Sequence, residues 1–110
     1  MEALKEAADD FKQKQNKATK RAERFRLKGN KSYAAGDLSS AEGYYAEAIL
    51  LLESSGMGLI DKNHLTLRTN RAAALMALGR DNDALQECLN VLNVDEENIK
   101  ALSQAATCAL

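Results

Sequence analysis

Proline and tryptophan are absent from the sequence, histidine occurs once, and aromatic residues make up only 5% of the chain. Without proline nothing interrupts a helix covalently, and the shortage of aromatic runs leaves few segments that favour strands. The lone His64 gives no partner for a Ser/His/Asp set or a histidine-based metal cluster. Glycine-rich phosphate loops are missing, as are paired carboxylates placed for acid–base work. Cys88 and Cys108 lack metal-like spacing, and both are expected to be buried, reduced and structural. Long apolar runs are missing too, and the opening stretch MEALKEAADDFKQ carries four acidic residues and no signal-peptide core. Together these absences argue against an enzyme, a cofactor, a metal site and membrane insertion, and lead us to expect a soluble, cytoplasmic protein.

What is present is 45% hydrophobic residues, mostly alanine and leucine, in a chain of 110 residues. That suffices for one domain with a real core, and the composition favours helix throughout. The net charge of −1 conceals a segregation: nine lysines and arginines lie between Lys12 and Lys31 against the single acid Glu23, whereas residues 32–110 carry five basic and eleven acidic residues. Such a block on a helix is ordinarily a solvated face. Only Phe25 interrupts it with an aromatic ring, so nucleic acid is not the expected partner.

The chain repeats itself. Displaced by 43 residues, Gly29 falls on Ala72, Tyr33 on Met76, Gly36 on Gly79, Ala41 on Ala84, Tyr45 on Cys88 and Ala48 on Val91. Displaced by 34, Leu65 falls on Ile99, Ala72 on Ala106 and Leu75 on Ala109. The order of a large apolar residue, a small one, another large one, a turn glycine, a small one, an aromatic and a closing alanine is supplied by Phe25, Gly29, Tyr33, Gly36, Ala41, Tyr45 and Ala48. This pattern resembles the tetratricopeptide repeat family, whose unit of 34 residues is a helix, a turn and a helix. The second copy matches less well, since Arg68 stands where a large apolar residue is expected. The resemblance implies an all-α solenoid of antiparallel helix pairs with a long N-terminal helix and an incomplete third repeat.

Read on that pattern, residues 1–21 form a basic-ended extension continuous with the first repeat helix, 22–55 the first repeat, 56–64 an insertion loop and 65–98 the second repeat. Residues 99–110 are the first helix of a truncated third repeat, or a capping helix. Helices are expected over 2–35, 38–53, 62–78, 82–93 and 96–110. Gly29, Ala41 and Ala48 should mark close helix approaches, with Tyr33 and Tyr45 filling the space beside them. Gly36 and Gly79 should reverse the chain. Asp61, Asp81 and Asp95 are the expected caps, Glu96 and Glu97 suit the first turn of the last helix, and His64 is expected to be exposed. Leu4, Ala8, Phe11, Gln15, Ala18, Ala22, Phe25 and Gly29, spaced by four and three, predict one unbroken helix.

The segments LKGNKSY and LRTNRAAALMALG resemble the helices of co-chaperone domains that grip the C-terminal Glu-Glu-Val-Asp tails of Hsp70 and Hsp90 through a five-residue carboxylate clamp. The matching positions hold Arg26, Asn30, Asn70, Lys100 and Gln104, of which the two asparagines and Lys100 are identical to the clamp pattern. Residues four apart on a helix face one way, and a terminal carboxylate beside an acidic side chain calls for charge-assisted donors. Gln104 replaces an arginine, which by the loss of one charge-assisted bond should weaken the clamp by about 1.5–3 kcal/mol. The implied partner is therefore an Hsp70 or Hsp90 tail. The alternative is an assembly scaffold that self-associates through the N-terminal helix or through the apolar stripe Ile99, Leu102, Ala106 and Leu110 of the unfinished repeat.

Overall fold

The computed structural model describes residues 2–56 and 62–109. Five helices follow one another: α1 Glu2–Ala34, α2 Leu38–Ser54, α3 Lys62–Ala77, α4 Asp81–Val94 and α5 Ile99–Ala109. The described residues contain no strand. Helices α1 and α2 form one antiparallel hairpin, α3 and α4 a second, and α5 packs on α4 as the start of a third, so the fold is an all-α solenoid of the tetratricopeptide type. Its extents are 56 × 30 × 17 Å. The long dimension follows from α1, whose 33 residues span about 50 Å.

Both hairpin turns are built alike. Gly36 has φ of 83° and Gly79 of 78°, in the left-handed region where a side chain would be strained. Around Gly36 the amide of Asp37 reaches back to the Ser32 carbonyl at 2.9 Å, and around Gly79 the Arg80 amide reaches the Leu75 carbonyl at 2.8 Å. These 6→1 bonds satisfy carbonyls that the ending helix leaves open. Asp37 then caps α2 by accepting the Ser40 amide at 3.3 Å.

The expected caps of the later helices need correction. Arg80, not Asp81, is the N-cap of α4, and no side chain caps it. Asp81 and Asp83 instead lie in the first turn, where their charge complements the helix dipole. Helix α5 begins at Ile99, three residues later than expected, because Asn98 takes the capping place and accepts the Ala101 amide at 2.9 Å. Asp95 ends α4, and Glu96 and Glu97 fall in the connection between the helices. Asp61 and Leu110 lie outside the described residues.

Burial reproduces the internal repeat. Ala41 and Ala84, Ala48 and Val91, and Tyr45 and Cys88 occupy equivalent places, and all are buried. Ala22, Tyr45, Ala48, Ile49, Leu52 and Leu67 form the core of the first hairpin and its seam with α3, while Ala72, Leu75, Ala84 and Cys88 form that of the second. Cys88 has the inert environment expected of it, since burial pushes its thiol up to about 11 and keeps it protonated at neutral pH. Both cysteines are free thiols, and Cys108 is partly buried against the second core.

Two polar residues lie in the core, and one of them, His64, was expected to be exposed. His64 is fully buried, with Nε2 3.8 Å from Glu53 Oε1. Arg68, the apparent flaw in the second copy, is 7% exposed and joins acids of two other helices: Glu53 of α2, and Glu87 of α4 at 3.1 and 3.2 Å. One turn along α3, Arg71 extends the network to Glu42 at 2.9 Å and to Glu87 at 3.3 Å.

Candidate functional site

Helical spacing puts Asn30, Tyr33 and Ala34 on one stripe of α1, and Asn70 and Ala73 on one stripe of α3. Because the repeats stack with their first helices side by side, these stripes line a common trough. Tyr45 of α2 closes its floor and Lys100 of α5 its far wall, around a cavity of about 450 Å³. Three of the five expected site residues, Asn30, Asn70 and Lys100, therefore meet in one groove.

Internal hydrogen bonds decide what the groove offers a ligand. The Tyr45 hydroxyl donates to Asn30 Oδ1 at 2.6 Å, and Lys100 Nζ donates to Asn70 Oδ1 at 3.0 Å. In each asparagine the acceptor oxygen is thereby engaged, and the NH₂ group is the donor left for a ligand. The lysine ammonium carries three protons, so it can hold Asn70 and still donate to an incoming anion. Burial raises the Tyr45 pKa, which keeps the hydroxyl protonated and donating across the physiological range. The result is a groove with two amide donors and one positive charge, suited to a carboxylate.

The other two expected residues stand elsewhere. Arg26 lies one turn before Asn30 and is bound to Glu23, with Nε 2.8 Å from Oε2. Its hydrogen bond holds the Glu23 carboxyl below the usual carboxylate range. Arg26 opens onto a neighbouring cavity of about 760 Å³ rather than onto the groove of Asn30. Gln104 is not among the groove-lining residues: its Nε2 donates to the Thr69 carbonyl at 3.0 Å, and its Oε1 faces Cys88 Sγ at 3.6 Å. A glutamine here stitches α5 to α3 and α4, and its donor is already engaged by the backbone.

Sequence reasoning missed the two tyrosines. Tyr33, expected between helices, is 42% exposed and lines the groove. Its position three residues after Asn30 on the same helix was the available clue. Tyr45 was legible as a space filler next to Gly29, and its contact with Asn30 was not, because the partners are fifteen residues apart on different helices.

No family model matches the chain. Among curated proteins it is 34% identical over 85 residues to the inactive TPR repeat-containing thioredoxin TTL3 of Arabidopsis thaliana, covering 77% of this chain and 11% of that protein. It is 31% identical over 93 residues to mouse DnaJ homolog subfamily C member 7, covering 84% of this chain and 17% of that protein. The chain thus spans less than a fifth of the length of either relative. Among solved structures, the Arabidopsis OM64 TPR domain superimposes with a TM-score of 0.70 at 28% identity, over 83% of this chain and 68% of that one. With a relative named for these repeats and a solved repeat domain superimposing over most of its length, the chain has the fold of a tetratricopeptide-repeat domain.

Proposed function

We propose that this domain is a non-enzymatic protein-interaction module of co-chaperone type, which holds the C-terminal end of an acidic tail such as the Glu-Glu-Val-Asp ending of Hsp70 or Hsp90. The observation that carries this reading is the convergence of Asn30, Asn70 and Lys100 on one groove with both asparagine oxygens already engaged. A terminal carboxylate between α1 and α3 takes amide donors from both sides and the charge of Lys100 from the third. Arg26, one turn away, is placed to meet an acidic side chain of the same peptide, and Gln104 contributes through its hold on α5. A cytoplasmic location accords with this partner.

The test is a titration followed by fluorescence anisotropy, with the tail peptide ending either in a free carboxylate or in an amide. The free form should bind, more weakly as salt rises. Asn70→Ala should lose about 1.5–3 kcal/mol, roughly ten- to a hundredfold in affinity. Equal affinity for the two peptide forms would rule the reading out.

A second reading, an assembly scaffold, rests on exposed apolar residues at the two ends: Leu4 is 77% exposed, Phe11 54% and Ile99 82%. It calls for a dimer mass in solution that falls to a monomer when residues 1–18 are removed. A monomer with those residues in place ends it.

A further inference from the structure

The larger cavity lies beside the groove and is walled by the same two helices. Thr66 of α3 stands one turn before Asn70, and Arg26 of α1 one turn before Asn30, so the cavity continues the trough toward the N-terminal ends of both helices. Its wall carries three cations, Lys20, Arg24 and Arg26, against one acid, Glu23, which Arg26 already neutralises. Among the described residues no acidic side chain is paired with Lys20 or Arg24. The pattern of small and large residues that builds a repeat does not call for these cations. They belong to the basic block between Lys12 and Lys31, and with Arg26 they line this cavity.

We propose that this basic chamber binds acidic side chains upstream of the C-terminal carboxylate in the same peptide, so that the tail lies with its end at Lys100 and its preceding residues running along α1 toward Lys20. The proposal rests on the groove being the seat of the terminal carboxylate. Ten residues of helix separate Asn30 from Lys20, about 15 Å, which an extended peptide covers in roughly four to five residues. The Lys20 end of the chamber therefore reads the acidity of positions beyond a four-residue tail. The ligand class is a C-terminal segment of roughly six residues or more, acidic along its length, rather than any chain with an acidic end.

The experiment compares a four-residue tail with two peptides extended by five residues, all glutamate or all glutamine, on the full chain. The glutamate extension should tighten binding about tenfold at low salt over the glutamine one, a gain that shrinks as salt rises, because the contacts are exposed ion pairs. In Lys20→Ala/Arg24→Ala the ratio of the two long peptides should fall close to one. Lys12→Ala/Lys14→Ala removes the same charge from the same helix outside the chamber and should leave the ratio high. Circular dichroism checks that both doubly substituted chains retain their helix. No gain from glutamate, or an equal loss of gain in both variants, overturns the chamber. Failure of the short tail to bind, with the glutamate gain still dependent on Lys20 and Arg24, would instead reject the groove as the carboxylate seat and leave the chamber standing as an anion site.

Discussion

Arg68→Ala is expected to lower the folding free energy by about 3 kcal/mol, the lower end of what breaking a buried ion pair costs. The side chain is 8% exposed, and so is that of Glu87, which would keep its charge inside the fold with only Arg71 at 3.3 Å to answer it. Urea denaturation should show the midpoint falling by about 1.5–2 M for a domain of this size. The reverse outcome is expected when both partners are removed together. Arg68→Met with Glu87→Leu fills similar volume without stranding a charge, and replacements of that kind are neutral or stabilising by up to about 4 kcal/mol. A loss below about 1 kcal/mol in Arg68→Ala would mean that water reaches Glu87 and that the network is a surface feature.

The second large effect concerns one methyl group. A Cβ added at Gly29 would lie 2.6 Å from Tyr45 Cε1 and 2.8 Å from Cδ1, closer than atoms approach without something moving. The ring has little freedom to yield, because it is 3% exposed and its hydroxyl is tied to Asn30. Overpacking costs about 1–3 kcal/mol and alanine's better helix propensity returns about 1, so Gly29→Ala should destabilise by up to about 2 kcal/mol. It should also weaken binding of the acidic tail, since a displaced ring releases the Asn30 amide. Gly43→Ala is the control: the same change in the neighbouring helix meets nothing within 4 Å and should stabilise by about 0.5–1 kcal/mol. Thermal melts of the two variants shifting in the same direction would refute the close approach of α1 and α2.

These two cases show where sequence was informative. The small residues of the repeat and the turn glycines were readable because backbone approach and left-handed φ are local demands that few residue types meet. Ala41, Ala84, Gly36 and Gly79 each sit as their spacing required. Arg68 and His64 were unreadable by the same logic. A charged or imidazole side chain at a helical position predicts solvent unless its partners are known, and Glu53 and Glu87 come from helices fifteen and nineteen residues away. The helix starts at α4 and α5 shifted because an aspartate can serve the first turn as well as the cap, and only geometry separates the two roles.

The groove was half legible for a related reason. Four-residue spacing places Arg26 with Asn30, yet the ion pair to Glu23 draws Arg26 toward the chamber. Lys100 and Asn70, thirty residues apart, met through the period of the repeat. Gln104 kept its position in the pattern and changed its employment, because its amide donor is taken by the Thr69 carbonyl.

The arginine network also bears on how the molecule comes apart. Solenoids commonly melt from an end, one unit peeling from the next, since each touches only its neighbours. Here two arginines of a single helix clasp acids from the helix before and the helix after, across both hairpins. Separating the hairpins breaks both bridges from α3 to α2 at once, so the stack of α2, α3 and α4 resists peeling at that seam, and fraying is confined to the outlying helices.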